Sequence, residues 1–415
     1  MQKLLISLLL CLPLTAGESS WPRFRGTGGS GLSESPLPTR LSQETLVWSA
    51  KLPGAGSSSP VIWEDKLFLT SENRDRHTIS LLCLDAHSGK GLWDRPLKVG
   101  DYHLHRFNNT AASTPAISED RVVVPWFDGP AKTARLTAFD HQGEKIWDFH
   151  IGSFESEHGF CLNPVIHQDS VIVAPLHMGD GFVARISLAD GKVVWRKPHP
   201  GGGKKTSYIT PCLLETGQGS EVVLASHAQG VWALDFASGR ENWSLPGCLE
   251  HRTIVSPFQL IPGQSSATLI GVACKTGAYL AIRPPGEPGG KAEIAWRMKG
   301  KTPYVPTPVA QAGMVFSLSD GGALTAVDAT SGETKWTKQL RANFYASPLI
   351  ADEHLYAVTR EGELIVSSLS EGYREISRNA LNPAPGSAEI DATPAIAHGR
   401  LYLRVGDRLD CHAKR

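Results

Sequence analysis

One pattern recurs eight times along the 415 residues, and it constrains the fold more than any other feature. Each copy opens with a small polar residue, a proline and an apolar run. The openings, 40 to 55 residues apart, are Ser59-Pro60, Thr114-Pro115, Asn163-Pro164, Thr210-Pro211, Ser256-Pro257, Thr307-Pro308, Ser347-Pro348 and Thr393-Pro394. Seven tryptophans close the copies, at Trp48, Trp93, Trp147, Trp195, Trp243, Trp296 and Trp336. In the seventh copy Ile376 stands where a tryptophan would fall.

Residues 307–336 show what one copy contains. Turn signals at Ala312-Gly313, Asp320-Gly321-Gly322 and Ser331-Gly332 separate four runs of strand length. Four short strands in such a period are typical of a propeller blade. A lone four-stranded sheet cannot bury both of its faces, but sheets packed around an axis cover one another. The sequence therefore predicts an all-β fold, an eight-bladed β-propeller of four-stranded blades.

Two residue types predict how the blades join. A closing tryptophan can lie between adjacent blades, where its ring buries a large apolar area. Aspartate precedes glycine in the turns Asp85…Gly89, Asp235…Gly239 and Asp328…Gly332. We expect each aspartate to accept hydrogen bonds from turn amides and each glycine to supply a positive φ.

The two ends of the chain are complementary. Residues 45–52 read as a fourth strand with its tryptophan, whereas residues 393–412 supply three strands and stop. An N-terminal strand that completes the C-terminal blade would close the ring. We expect a signal peptide at 1–17, an N-terminal segment at 18–44 and a single propeller domain at 45–415. The fifth blade departs from the pattern through a Pro/Gly-rich insertion at residues 284–290.

The N-terminus reads as an export signal, with Lys3 before a short apolar run and small residues at 15–17. This predicts a periplasmic or extracellular protein, exported by the signal peptide, and a monomer without a membrane span. Two alternatives stay open: a lipid anchor at Cys11, disfavoured because Leu10 precedes it, and an uncleaved N-terminus. The formal net charge of zero, without a basic run, argues against a nucleic-acid partner.

Six cysteines follow the leader, at irregular spacing. Buried free thiols are the favoured interpretation, although an oxidising compartment allows bridges. Cys83 and Cys411 lie in the predicted third strands of the first and last blades, and they are one candidate pair across the closure.

The pattern Ala326-x-Asp328-x-x-Ser331-Gly332-x-x-x-Trp336 resembles the tryptophan-docking repeat of pyrroloquinoline quinone (PQQ) propellers. The opening of residues 21–26, Trp-Pro-Arg-Phe-Arg-Gly, is similar to that of secreted bacterial PQQ-like propeller proteins. The wider group includes quinoprotein alcohol dehydrogenases and the propeller subunit of the barrel-assembly machinery. The resemblance implies the fold strongly and the cofactor weakly.

Polar residues are concentrated in the connections between blades, which reach the mouth of the axial funnel. Their mixture of cations, carboxylates, imidazoles and phenols suits an anionic or polar ligand, such as a quinone with carboxylates; the alternative is solvated loops. The candidate ligand-binding residues are His103, His105, Arg106, Asn108, Glu157, His158, Lys205, Tyr208, His251, Arg252, Tyr304, Arg341, Asn343, Tyr345 and Asp391. A metal site formed by the histidines with Glu157 is disfavoured, because these residues come from different blades.

Catalytic signatures are missing from the sequence. Quinoprotein alcohol dehydrogenases use an adjacent cysteine pair beside the quinone, and no two cysteines are adjacent here. We assign no catalytic residue and no certain cofactor, although PQQ with calcium stays open. The favoured function is a non-catalytic exported scaffold that binds a protein or a small polar ligand. The alternatives are a quinoprotein oxidoreductase with a divergent site and an envelope assembly scaffold that resembles the barrel-assembly propeller.

Overall fold

The computed structural model describes residues 19–201, 205–261, 268–275, 277–370, 372–384 and 389–414. The predicted leader at 1–17 lies outside these ranges. The described residues form eight sheets that each contain one four-stranded antiparallel blade, and two of these sheets gain a short fifth strand. The prediction of an all-β, eight-bladed propeller is confirmed. The first strands of neighbouring blades contact one another, so they line the axis.

Each blade runs from an inner strand at the axis to an outer strand at the rim, and its strands follow in that order. Blades 1 and 2 contain Val61–Trp63, Lys66–Asn73, Thr78–Asp85 and Gly91–Lys98, then Ala116–Ile117, Val122–Asp128, Thr133–Phe139 and Lys145–Gly152. Blades 3 and 4 contain Val165–His167, Ser170–Val173, Gly181–Ser187 and Val193–His199, then Cys212–Thr216, Gly219–Ser226, Gly230–Asp235 and Glu241–Leu245.

The other four blades follow the same order. Blades 5 and 6 contain Phe258–Gln259, Ile270–Cys274, Ala278–Arg283 and Glu293–Lys299, then Val309–Gln311, Met314–Leu318, Ala323–Asp328 and Thr334–Gln339. Blade 7 contains Leu349–Ala351, His354–Val358, Glu363–Ser368 and Arg374–Ala380. Blade 8 contains Ala395–Ala397, Arg400–Val405, Arg408–Ala413 and, from the other end of the chain, Leu46–Lys51.

The middle strands carry the core because neighbouring blades cover both of their faces. Val327 in the third strand of blade 6 packs against blade 5, whereas Leu324 and Ala326 pack against blade 7. The outer strand Thr334–Gln339 is mostly exposed and rich in polar residues. The apolar clusters therefore lie between blades, which is the arrangement that a repeat of face-to-face sheets requires.

Tryptophan docking joins the blades in the way the sequence predicts. Trp296 in the outer strand of blade 5 donates its indole N–H to the Ala329 carbonyl in the turn of blade 6, at 3.0 Å. In that turn the Asp328 carboxylate accepts the Thr330 and Ser331 amides. Equivalent indole bonds join Trp48 to Ala86, Trp93 to His141, Trp147 to Leu188 and Trp195 to Phe236.

The junction between blades 4 and 5 uses a different partner. Blade 5 lacks the Asp…Gly turn, and the Trp243 indole instead donates to the Glu221 carboxylate within blade 4, at 3.0 Å. The same carboxylate accepts the Asn242 amide at 2.8 Å, and Glu221 is 8% exposed. A buried carboxylate with two donors thus replaces the missing carbonyl.

The N-terminal residues enter three sheets. Ser20–Trp21 pairs with the inner strand of blade 1, and Leu32–Ser33 pairs in parallel with the inner strand of blade 7. A short 3₁₀ helix, Thr27–Gly29, lies between them. Leu46–Lys51 pairs with Arg408–Ala413 as the outer strand of blade 8. The ring is therefore closed by strands from the two ends of the chain.

The suggested pair of Cys83 and Cys411 is wrong, because both thiols are free and buried. Cys83 faces blade 2 and packs with Val122 and Phe139. Cys411 belongs to a separate cluster with Trp48 and Tyr402 on the other side of blade 1. None of the six described cysteines forms a disulfide bond.

Candidate functional site

The polar residue before each proline takes part in a belt of hydrogen bonds around the axis. Each backbone N–H, or the side-chain amide in the case of Asn163, donates to the polar side chain of the next blade. These bonds are 2.8 to 3.1 Å long. Each joins one residue to the next in the order Ser59, Thr114, Asn163, Thr210, Ser256, Thr307, Ser347 and Thr393. At the remaining junction Ser59 Oγ is buried without a partner among the described residues.

The N-terminal segment contacts several blades beside this belt. Arg23 donates to the Pro211 carbonyl of blade 4, and Arg25 donates to the Thr307 and Pro308 carbonyls of blade 6. Both guanidinium groups are almost completely buried. Burial, together with the charge of Arg23, lowers the pKa of Arg25 to about 9. Residues 21–26 therefore act as a plug that joins blades 1, 4 and 6.

A cavity of about 170 Å³ lies on the axis between this plug and the mouth loops. Phe24 of the plug lines it, together with Ser59, Thr307 and other belt residues. Four of the predicted residues also line it, namely Asn108, Tyr208, Tyr345 and Asp391. Four of the candidates thus line one axial cavity, whose polar belt atoms mostly bond to one another.

Arg360 organises one side of the mouth. It forms an ion pair with Asp391 at 2.8 Å and a second with Glu389, and its side chain is 9% exposed. Its guanidinium lies 3.8 Å from the ring centroid of Tyr345 and 4.9 Å from that of Phe107. Burial raises the pKa of Asp391, an effect that the Arg360 bond opposes. Stacking and ion pairing fix this guanidinium in place.

Glu157 and Arg252 organise the opposite side. Arg252, whose side chain is 4% exposed, forms an ion pair with Glu157 and donates to the Tyr304 hydroxyl at 3.1 Å. Lys205 approaches the same carboxylate at 3.6 Å. The Lys275 ammonium lies 5.6 Å from the centroid of the Tyr304 ring. Glu157 therefore lies against two cations, Arg252 and Lys205.

The loop between blades 1 and 2 crosses the mouth between these two sides. Asn108 donates to the His158 carbonyl of the next loop at 2.7 Å. Phe107 meets Tyr345 edge-on at 6.3 Å, and the Arg106 guanidinium lies 4.4 Å from the Phe107 ring centroid. Phe107 is nevertheless 38% exposed, so an apolar ring lies between the Arg360–Asp391 side and the Glu157–Arg252 side.

The histidines are distributed around the mouth and bond to its loops. His103 contacts the Glu157 carbonyl at 3.1 Å, and the His105 ring accepts the Phe107 amide. His105 and His158 meet edge-on at 4.6 Å. Burial lowers the pKa of His158 and of His251. Among the described residues, no group of three or more His, Cys, Asp or Glu side chains is placed to hold a metal ion.

The structure gathers most of the predicted residues, but not all. Those on the cationic side are His103, His105, Glu157, His158, Lys205, His251, Arg252 and Tyr304. Asn343 lies away from the cavity, where it bonds to Glu361 at 2.6 Å, and Arg341 lines a separate surface groove beside it. Arg106 lines a small pocket that adjoins Phe107. Whether these residues bind a ligand stays a prediction.

Sequence reasoning missed four residues that shape this region, namely Phe24, Phe107, Lys275 and Arg360. Arg360 and Lys275 lie in turns between second and third strands, whereas the predictions came from connections between blades. In a propeller these turns reach the same face, because antiparallel strands return there. The strand order within a blade was therefore the signal that could have placed Arg360 and Lys275 at the mouth. Phe24 was visible only as part of the Trp-Pro opening.

The cavity does not fit a quinone cofactor that carries several carboxylates. Its volume is below the roughly 300–1,000 Å³ typical of pockets for drug-sized ligands. Among the described lining residues the one charged side chain is Asp391, a carboxylate already paired with Arg360. The belt hydroxyls, Ser59 apart, each accept one amide, which leaves them a single lone pair and their own O–H and supplies no positive charge for a carboxylate.

Comparisons with known proteins agree with this fold. A family profile described as "Outer membrane protein assembly factor BamB" matches residues 132–303 and 292–407. BamB from Legionella pneumophila (strain Paris) is 26% identical over 232 residues, which covers 53% of this chain and 54% of that protein. The chain thus spans about half the length of this curated relative. The predicted resemblance to PQQ-like propellers is confirmed.

Solved structures share the architecture. The crystal structure of BamB from Moraxella catarrhalis is 15% identical, with a TM-score of 0.62 over 89% of this chain and 98% of that chain. A quinohemoprotein alcohol dehydrogenase from Comamonas testosteroni is 14% identical, with a TM-score of 0.63 over 97% of this chain and 82% of that chain. At such identities the likeness shows the fold alone. Within the described ranges, no helix has the length and apolar character needed to cross a membrane.

Proposed function

This chain belongs to the family described as outer membrane protein assembly factor BamB, and from that membership we propose that it is an exported, non-catalytic propeller that binds a protein partner during outer membrane protein assembly. The partner would engage the mouth formed by the loops between blades. The same premise and the predicted leader support export into the periplasm. Loops held on a rigid ring are well suited to recognition.

The observation that carries this proposal is the small volume left on the axis above the plug. The plug at residues 21–26 is anchored to blades 4 and 6 by buried arginines, and the cavity above it holds about 170 Å³. A chamber for cofactor chemistry needs more space. The mouth instead presents charged groups and the half-exposed Phe107 ring on one face. An apolar ring surrounded by polar groups is the usual anatomy of a protein-binding patch.

Site-specific photo-crosslinking in the producing cell tests this function. A photoreactive amino acid at Phe107 is expected to capture a component of the outer membrane assembly machinery, identified by mass spectrometry. The matched control places the same group at Thr330, an exposed turn residue on the opposite face. Capture of the same component at both positions, or at neither, would contradict binding through the mouth.

A titration with PQQ separates this proposal from the oxidoreductase alternative. We expect calorimetry of the purified chain to show no PQQ binding at micromolar concentrations, with or without calcium. Tight, calcium-dependent binding would support a quinoprotein enzyme and overturn the scaffold. Turnover of alcohols or sugars with added PQQ would have the same meaning.

A further inference from the structure

Three cations define a surface on one side of the mouth, which we call the cationic rim: Lys205, Arg252 and Lys275. The single carboxylate among them is Glu157, which pairs with Arg252 and lies 3.6 Å from Lys205. These four side chains together carry a surplus of two positive charges. The whole chain has a formal net charge of zero, so the surplus is a local feature.

The cationic rim is held in position before any ligand arrives. Arg252 is buried, its Nη1 atom donates to the Tyr304 hydroxyl, and its carbonyl accepts the Lys275 amide at 3.2 Å. Lys275 lies beside the ring of Tyr304. Within the described residues Arg252 Nε is buried without a partner. A preorganised cation loses little conformational entropy on binding.

The lowered pKa values of two neighbouring histidines agree with a positive electrostatic potential at the cationic rim. The pKa of His158 is lowered by burial first, and then by the charges of His105, Lys275, His103 and Lys205. The pKa of His251 is lowered by burial, and then by Lys205 and Lys275. The charges of the same two lysines therefore help to lower the pKa of two histidines in different loops. Fields of this kind attract anions toward a surface.

We propose that the cationic rim binds side-chain carboxylates of an acidic segment of a partner polypeptide, and that Glu157 is the internal carboxylate that competes for this position. The proposal rests on the proposed protein-binding function and specifies the partner's chemistry. Glu157 shows that a carboxylate fits between Arg252 and Lys205. Arg252 is buried beneath Glu157, whereas Lys205 is 28% exposed and Lys275 is exposed, so an incoming carboxylate meets the two lysines first.

Lys275 is the cation that the resident carboxylate leaves unpaired. Among the described residues it forms no ion pair, although its backbone is fixed on Arg252. A segment with several carboxylates would pair with Lys275 and Lys205 together, which Glu157 alone does not do. Multiple contacts along one chain raise affinity because the second carboxylate binds intramolecularly.

The test is calorimetric titration of the mature chain with an acetylated hexaglutamate peptide at low ionic strength. We expect the double variant Lys205→Ala/Lys275→Ala to bind about tenfold or more weakly than the unsubstituted chain. The matched control, Lys90→Ala/Lys192→Ala, removes the same charge from turns on the opposite face, and its affinity should stay within about twofold. Both lysines of the control are exposed.

Glu157→Gln gives the distinguishing result. If Glu157 competes with the ligand, removing its charge should strengthen peptide binding by about threefold or more. Weakened binding, with a melting temperature that shows the variant folded, would overturn the proposal. Failure of the unsubstituted chain to bind the peptide, or equal binding by the Lys205→Ala/Lys275→Ala variant, would do the same.

A second arm distinguishes a peptide from a free small carboxylate. Succinate should bind much more weakly than the peptide and should not displace it at equal carboxylate concentration. Equally tight succinate binding would overturn the polypeptide assignment. Crosslinking at Phe107 tests the proposed function independently of peptide binding. If assembly components are captured but the peptide does not bind, only the role of the cationic rim is rejected. Peptide binding without such capture rejects the assembly function alone.

Discussion

At the residue scale, four of the blade junctions depend on the contact of a tryptophan ring with a glycine, at Gly89, Gly191, Gly239 and Gly332. Gly332 adopts φ +75, and a Cβ atom placed there would lie 2.6 Å from Trp296 Cγ. Gly239 meets Trp195 and Gly89 meets Trp48 in the same way. Glycine is therefore required twice in this turn, for its backbone conformation and for the space it leaves.

Substitution of two glycines separates these requirements. Gly332→Ala should destabilise the protein by about 2–4 kcal/mol, because backbone strain of roughly 1–2 kcal/mol adds to a clash with Trp296. Gly313→Ala is the control: its φ is +76, but a Cβ there meets nothing within 4 Å. Gly313→Ala should therefore lose only the roughly 1–2 kcal/mol of stability that the backbone strain costs. Urea denaturation measures both variants, and equal losses would contradict the role of the tryptophan contact.

His199 shows how burial controls a titration. It is 3% exposed, stacks on Trp232 at 5.6 Å and bonds to Ser226 at 2.9 Å. Its pKa is lowered to about 4 by burial and then by the charge of His177. In the unfolded chain a histidine titrates near 6.5. The unfolded state therefore binds more protons between these two values.

The consequence is a loss of stability in acid. The contribution of His199 is fully present above about pH 6.5 and is lost as the pH falls toward 4. Over this window the unsubstituted protein should lose about 3 kcal/mol more unfolding free energy than His199→Gln. The exposed His150→Gln serves as control. Denaturation at several pH values measures this, and parallel curves for the protein and His199→Gln would refute the assignment.

At the scale of elements, the belt of hydrogen bonds explains why a polar residue precedes each proline. The inner strands cannot pair with another sheet along the axis, so their first amides need acceptors. Side chains of the next blade supply them, for example Thr307 Oγ1 for the Ser256 amide at 3.1 Å. Serine, threonine and asparagine all fit this role, which accounts for the variation among the copies.

One substitution in the belt tests its energetic role. Thr307→Val keeps the shape of the side chain but leaves the Ser256 amide buried without an acceptor. We expect a loss of about 1–3 kcal/mol in unfolding free energy. Thr307→Ser retains the acceptor and should lose less, since only a methyl group is removed. Chemical denaturation compares them; a Thr307→Ser variant as unstable as Thr307→Val would argue against the belt.

The role of the plug cannot be predicted from its local sequence. Residues 21–26 contain no apolar period or strand signal beyond Trp21. In the structure their two arginines bond to carbonyls of blades 4 and 6, and Phe24 faces the cavity. The buried Arg25 guanidinium is stable in this position because backbone carbonyls accept from all three of its nitrogens. The plug thereby sets the depth of the funnel.

At the scale of the molecule, closure joins the two ends of the chain. The outer strand Leu46–Lys51 of blade 8 also carries Trp48, which docks on the turn of blade 1 at Ala86. The closing blade thus uses the same junction as the regular blades. Without this strand, the third strand of blade 8 and the turn of blade 1 would both lose a partner.

Removal of the closing strand tests this arrangement. A chain that begins at residue 53 should lose its cooperative thermal transition or associate through the open edge. A chain that begins at residue 45 also lacks the plug but keeps the strand Leu46–Lys51, so it is the matched control. Thermal denaturation and sedimentation velocity give the two readouts. A monomeric 53–415 chain with an unchanged melting temperature would show that closure does not depend on this strand.

Local sequence was sufficient for the blades. Strand-length runs, turn residues and a tryptophan recur at a fixed period, and each depends on interactions within one blade or with the next. The fold class and the tryptophan junction follow from that periodicity. Even the exception at blade 5 could be read from its missing Asp…Gly turn, although the replacement by Glu221 could not.

Only the tertiary structure decided the mouth and the axis. The ion pairs of Glu157 with Arg252 and of Arg360 with Asp391 join residues of different blades, and no local pattern encodes such meetings. The pairing state of the cysteines and the positions of Arg341 and Asn343 were likewise not encoded in any local pattern. The sequence determined the repeating scaffold because its contacts are short-range and periodic. The composition of the site depended on where ring closure brings eight sets of loops together.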